Sequence, residues 1–205
     1  MNSSWTKTVN HFSRWLPALG AALLLGACTG SVPVRYFTLQ GPLAEACAPM
    51  PAAAARSLRL TRLSVPEAVD RPQLVFRTGD NTLSVNEHAH WVEPLKSALA
   101  GALAADLSQA LGCAPVFLRS TDVEDAAWSL AVEVQRFDAG PGQTVLLEAW
   151  WTLRGPDGKS FNRRSVVRES ATADTPEAMV AAQSRAVRGL ARDIARQIEE
   201  AALAK

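Results

Sequence analysis

Three alternating runs in the C-terminal half leave this chain little freedom. In Ala127 to Phe137, the residues Trp128, Leu130, Val132 and Val134 alternate with Ser129, Ala131, Glu133 and Gln135. Val145 to Leu153 follows after Gly140-Pro141-Gly142, and Gly155-Pro156-Asp157-Gly158 turns the chain into Ser160 to Glu169. An apolar side chain at every second position turns one face of a pleated strand to a core and leaves the other in water. Turn residues between such runs join them as an antiparallel meander. A meander with one apolar face needs a cover.

Two helices can supply it. In Pro94 to Leu111, the leucines 95, 99, 103, 107 and 111 recur every four residues, with Ala98, Ala102 and Ala110 beside them. Pro94 suits a first helical turn and Gly112 a stop. Thr175 is an N-cap candidate ahead of Pro176, and the helix it opens runs to about Ala201. Its apolar face is Val180, Val187, Leu190, Ile194 and Ile198, with Arg185, Arg188, Arg192 and Arg196 largely away from it. Shorter strands are expected at Tyr36 to Leu39, Ser57 to Val65 with a bulge near Arg62, Gln73 to Arg77, Thr82 to Val85 and Pro115 to Arg119. Gln40 to Arg56 reads as a loop rich in Pro and Ala, with room for one helical turn. The expected fold class is α/β, α+β-like: a single layered domain whose mixed, largely antiparallel sheet is packed by two amphipathic helices. No internal repeat is present.

The N-terminal segment belongs to different physics. It carries Lys7 and Arg14, no acid, and an apolar core from Leu16 to Ala27. These are the parts of a bacterial secretory signal. Its apolar core is about a dozen residues, where a bilayer span needs ~20. Leu25-Gly26-Ala27-Cys28 resembles the lipobox of bacterial lipoproteins, in which cleavage precedes the cysteine and the new N-terminus takes the lipid. An ordinary signal peptide, or a buried helix with a chance cysteine, are the other readings. The lipobox divides the chain into a signal at 1–27, a lipidated tether at 28–35 and a domain at 36–205. It places the domain outside the cytoplasmic membrane, in a compartment that permits disulfides. Thr29 and Gly30 follow Cys28, and the lack of an aspartate there points to the outer membrane.

Loss of Lys7 and Arg14 with the signal takes the formal charge from +1 to −1, and no concentrated basic surface suggests a nucleic-acid partner. Of the three cysteines, Cys47 and Cys113 remain. In an oxidising compartment a bridge between them is favoured over metal binding, the alternative being two separate thiols. Glu87-His88-Ala89-His90 lacks the third and fourth ligands that a metal site requires, and a solvated loop ahead of the helix is the default. No Gly-x-Ser-x-Gly elbow, His-Glu-x-x-His or phosphate-cradling loop occurs, so neither a catalytic residue nor a metal is assigned. The expected cofactor list is empty apart from the covalent lipid on Cys28. Among the aromatics Trp91, Trp128, Trp150 and Trp151, alternation sends Trp150 and Trp151 to opposite faces of their strand.

In order, the chain shows the lipobox, Tyr36-Phe37-Thr38-Leu39, Val65-Pro66-Glu67, Arg71-Pro72-Gln73-Leu74-Val75 and Trp91-Val92-Glu93-Pro94-Leu95 heading a helix. The strand Ala127 to Phe137 follows, then the helix opened by Pro176-Glu177-Ala178-Met179-Val180. This order and spacing resembles the PqiC/YmbA family, the ABC-type transport auxiliary lipoproteins, over essentially the full length. The resemblance implies an outer-membrane-anchored periplasmic subunit without catalytic residues. Its implied partners are an MCE-domain protein, which forms a lipid conduit, and the associated inner-membrane transport subunits. Docking that conduit and supporting envelope integrity are the implied roles. The resemblance gives no role to His88 and His90 and no pairing to Cys47 and Cys113. Pro-bounded loops with aromatics and charges nominate Glu67, Arg71 and Trp91 for the docking surface; the same residues could equally just shape the sheet-to-helix junction. A carrier that binds lipid in a cleft between helix and sheet, and a structural envelope lipoprotein, are the alternative functions. A ring-shaped partner is compatible with a homo-oligomer.

Overall fold

Alternation and leucine stripes together build one sheet with two helices packed on it. The computed structural model describes residues 32–39, 56–118 and 126–203. Residues up to Pro33 form one unit, of which only the exposed Val32 and Pro33 are described; Val34 onward forms a second, compact unit. In chain order that unit contains β1 (Arg35–Phe37), β2 (Leu58–Ser64), β3 (Gln73–Gly79), β4 (Thr82–Trp91) and α1 (Leu95–Ala110). β5 (Val116–Phe117), β6 (Trp128–Gly140), β7 (Thr144–Arg154), β8 (Ser160–Ser170) and α2 (Pro176–Leu203) follow. The expected signal and tether through residue 31, Cys28 and Cys47 lie outside the described residues, as does most of the Pro/Ala-rich segment.

β6 is the spine. One of its edges pairs with β7 along nearly its full length, and β7 pairs with β8, which gives the expected meander. The other edge is shared: β2 lies parallel to its first half and β3 meets it at Phe76–Ala139. The eight strands thus form one mixed sheet, with β1–β4, β2–β5, β2–β6 and β3–β6 parallel. Bulges hold the apolar face in phase. The bulge in β2 falls between Leu60 and Arg62, so that Leu58, Leu60 and Leu63 are all buried. A second bulge lies between Val134 and Arg136 and turns the inward set from Trp128, Leu130, Val132 and Val134 to Phe137 and Ala139. An extra residue on one strand shifts side-chain parity by one, which corrects the pattern where the sheet bends.

Leu95, Leu99, Leu103, Leu107 and Leu111 of the stripe are each at most 1% exposed. Pro94 stands one position outside α1 as its N-cap, and its carbonyl accepts the N–H groups of Ser97 (2.8 Å) and Ala98 (3.0 Å). At the other end, Gly112 N–H donates to the Gln109 carbonyl (3.2 Å) and Cys113 N–H to the Ser108 carbonyl (2.8 Å). This double closure needs a left-handed residue after the cap, and Gly112 supplies it at φ 68°. Thr175 caps α2 through Oγ1, which accepts from Ala178 N–H at 3.3 Å. α2 packs on β6, β7, β8 and α1.

Two expectations change. Glu87-His88-Ala89-His90 is strand, not a loop: β4 continues to Trp91 because β1 pairs with its last three residues and Ala89 is fully buried. The arginines of α2 are also less free than the sequence suggests. Arg185 donates to Glu169 (3.1 Å) and the Ser170 carbonyl (2.6 Å), and Arg188 reaches Asp106 at 3.4 Å.

Candidate docking site

Pro66 cannot donate to a ladder, and the chain leaves the sheet after Ser64. The N–H groups of Val69 and Asp70 both donate to the Pro66 carbonyl at 3.1 Å, and Arg71 N–H donates to the Val69 carbonyl at 2.9 Å. This tight turn buries Val69 and leaves Glu67, Asp70 and Arg71 exposed. The Pro72 carbonyl then accepts Trp91 N–H at 2.7 Å, which stitches the loop to the end of β4. Val92 N–H donates to the Phe37 carbonyl at 2.9 Å, so β1 holds the same junction from its other side.

A cleft of about 430 Å³ opens where these segments meet. Pro72, Trp91, Val92 and Pro94 form its apolar lining, and Asp70, Arg71 and Glu93 its charged lining. Of the residues nominated from sequence, Arg71 and Trp91 meet here. Glu67 is exposed on the same loop but does not line the cleft. Trp91 is only 6% exposed and serves as core and wall, while Val92 beside it is 64% exposed. Val92 is not among the residues nominated from sequence. Strand alternation after an inward Trp91 was the signal that could have found it.

His88 and His90 lie on the same strand. His88 N–H donates to Asn86 Oδ1 at 2.9 Å. The His90 ring stands edge-on to Tyr36, 6.0 Å between centroids, and its Nε2 is buried without a hydrogen-bond partner. Among the described residues no group of three or more His, Cys, Asp or Glu side chains could hold a metal ion.

Two acids are buried among the described residues, Asp106 and Asp138, and Asp106 is the one with an unpartnered oxygen. Asp106 of α1 faces α2, its side chain fully shielded and its Oδ2 without a partner. Burial pushes its carboxyl up from the ordinary value, and Arg188 and Arg192 pull in the opposite direction without cancelling the rise. An acid with a raised folded pKa binds its proton more tightly in the folded state. Its contribution is therefore complete below the ordinary carboxylate range and is lost as pH rises through the raised pKa. Denaturant titrations between about pH 4 and 7 should show the wild type losing stability relative to Asp106→Asn as pH rises. A difference that does not change with pH would contradict this assignment.

Cys113, at φ 67° just after the α1 stop, is disulfide-bonded, and its partner lies outside the described residues.

The sequence profile of the family described as "ABC-type transport auxiliary lipoprotein component" matches residues 37–195. The chain belongs to that family. The auxiliary lipoprotein also matches two crystal structures over 81% of its own length and 99% of theirs. One, of an uncharacterized protein, gives a TM-score of 0.67 at 21% identity. The other, of a protein from Xanthomonas campestris, gives 0.60 at 19% identity. At these identities the likeness concerns the fold. No curated protein matches the auxiliary lipoprotein. Among the described residues, no helix is long and apolar enough to cross a membrane.

Proposed function

We propose that this auxiliary lipoprotein is anchored by the lipid on Cys28 in the outer membrane, faces the periplasm, and docks an MCE-type lipid conduit of an ABC transport system. The observation that carries the docking role is the cleft between the Pro66–Pro72 loop and the Trp91–Pro94 junction. An apolar lining with charges beside it is the composition of a contact site whose anchor comes from the partner. The partners are then the MCE-domain protein and its inner-membrane subunits, and docking them supports envelope integrity. Catalysis has no part in this role. The central region between helix and sheet, where a carrier would need its lipid cleft, is instead occupied by Leu99, Leu103, Leu107, Leu147, Leu190 and Ile194, all at most 1% exposed, and the cleft of about 220 Å³ beside Trp128 and Phe161 lies at the C-terminal end of α2. That filling favours an adaptor over a carrier.

Arg71→Glu combined with Val92→Asp tests the site, since both side chains are exposed and the fold does not rest on them. Co-purification of the MCE-domain protein should fall at least tenfold, in line with loss of an interface anchor. Undiminished capture by a folded double variant would remove the cleft from the interface.

With Cys28 occupied by lipid, Cys47 is the remaining partner for Cys113. A bridge closing so long a loop contributes ~4 kcal/mol in the chain-entropy model. Cys47→Ser and Cys113→Ser should therefore lower the unfolding midpoint equally, and the double variant no further. Unequal single effects, or a free thiol at Cys113 by alkylation and mass spectrometry, would contradict the pairing.

A further inference from the structure

The two described helices pack on the same face of the sheet. On the other, strand parity places Trp150 near the middle, 51% exposed, directly opposite Glu133 on one side and Arg164 on the other. Arg62, Ala131, Thr152 and Asn162 form the next cross-strand row, and the two rows enclose a groove of about 290 Å³ beside the indole. Leu146 and Val166 continue the apolar strip along this face.

The charges around Trp150 fall into two sets. Arg164 is paired with Glu148 at 2.7 Å, and the buried Asp138 holds both Arg136 at 2.8 Å and Arg77 at 2.9 Å, so these residues are engaged with one another. Glu133 accepts a hydrogen bond from Gln135 at 2.7 Å. Arg62, Arg154 and Arg168 are exposed and make no ion pair or hydrogen bond among the described residues. The face thus presents one exposed tryptophan and three unengaged guanidinium groups. Tryptophan and arginine are the residues that most often carry binding energy at protein interfaces. Guanidinium groups match carboxylates two hydrogen bonds at a time.

We propose that this face is a second contact surface, taking an acidic patch of the transport subunit that the auxiliary lipoprotein docks. The assignment rests on the docking role proposed above. Excess arginine fixes the sign of the partner. The interleaved Glu133 and Glu148 set a register that a protein surface can match and that a uniformly anionic membrane cannot. Ser64, the last residue of β2, lies in the same row as Glu133 and Trp150, so the Pro66–Pro72 loop leaves the sheet roughly 10 Å from the indole's strand. The face measures roughly 14 by 27 Å at ordinary strand spacings. That is below the ~800 Å² per partner of a standard stable interface. A contact of this size suits a tethered protein, whose anchor raises its effective concentration at the partner.

The test uses the full-length lipoprotein in intact envelopes, cross-linked and purified as wild type, Trp150→Ala and Arg62→Glu/Arg168→Glu. Recovery of the MCE-domain subunit should fall at least tenfold in both variants, and wild-type recovery should fall with added salt. Equal recovery from folded variants overturns the face while leaving the docking role standing. Absence of the subunit from the wild-type sample overturns both. Phosphatidylglycerol vesicles that retain the Cys28→Ala protein but not its Arg62→Glu/Arg168→Glu form would assign the face to a membrane and overturn the proposal.

Discussion

Trp151→Ala is expected to cost about 3–5 kcal/mol of stability, the range for removing a large aromatic from a core. Trp150→Ala, one position earlier, should cost under about 1 kcal/mol, as for a surface site. The chemistry is the same; the parity differs. Trp151 is 4% exposed and points into the core, where its indole N–H donates to Ser165 Oγ at 3.0 Å. Truncation there leaves a cavity and strands a buried hydroxyl that had one defined partner. Trp150 points to the uncovered face, and its loss should appear in partner recovery instead. Urea unfolding of the two variants, in the full chain, checks the pair. Comparable losses of stability would mean that the open face is covered in the folded protein.

The second large effect concerns glycine. Gly189 lies in the middle of α2, where it meets the sheet, and a Cβ there would come within 2.7 Å of Val167 Cγ1 and 3.2 Å of its Cγ2. Val167 is β-branched and held in the ladder opposite Leu147, which restricts the rotation that would carry its methyls away. Gly189→Ala should therefore cost about 1–3 kcal/mol from overpacking, against a helix-propensity gain of about 1 kcal/mol. Gly101 of α1 is exposed, with nothing within 4 Å of the same added atom. Gly101→Ala should be stabilising by about 0.5–1 kcal/mol. Val167→Ala placed on Gly189→Ala should recover much of the loss, because it removes the clashing methyls. Thermal unfolding of the four proteins decides the matter, and a stabilising Gly189→Ala would contradict the close approach of α2 to β8.

These contrasts show what the sequence carries. Local periodicity is enough to place the meander, both helices, the bulge near Arg62 and the cap at Thr175, while Pro94, expected in the first turn of α1, stands one position before it as the N-cap. Each is written in residues a few positions apart. It could not place β2 and β3 end to end along β6, since parallel pairings join segments remote in sequence and leave no local trace. The strand at His88 and His90 leaves no local trace for a related reason. Ala89 reads as neutral in sequence, and only its pairing with Arg35 of β1 makes it an inward strand position. Asp106 is one polar residue within the leucine stripe of α1. Its burial against Arg188 is a property of two helices meeting, not of either alone. Trp91 is legible as a junction residue, but its 6% exposure, beside a Val92 that is 64% exposed, depends on how β1 and the Pro66–Pro72 loop close over it.

The central claim is that a lipid-tethered adaptor engages the transport conduit. Its most direct test is cross-linked purification of the protein from intact envelopes, wild type beside Cys28→Ala. Loss of a tether removes an effective-concentration gain on the order of 10²–10⁴. The account predicts an MCE-domain protein in the wild-type sample and little or none with Cys28→Ala. Absence of any MCE-domain protein from both samples would contradict it.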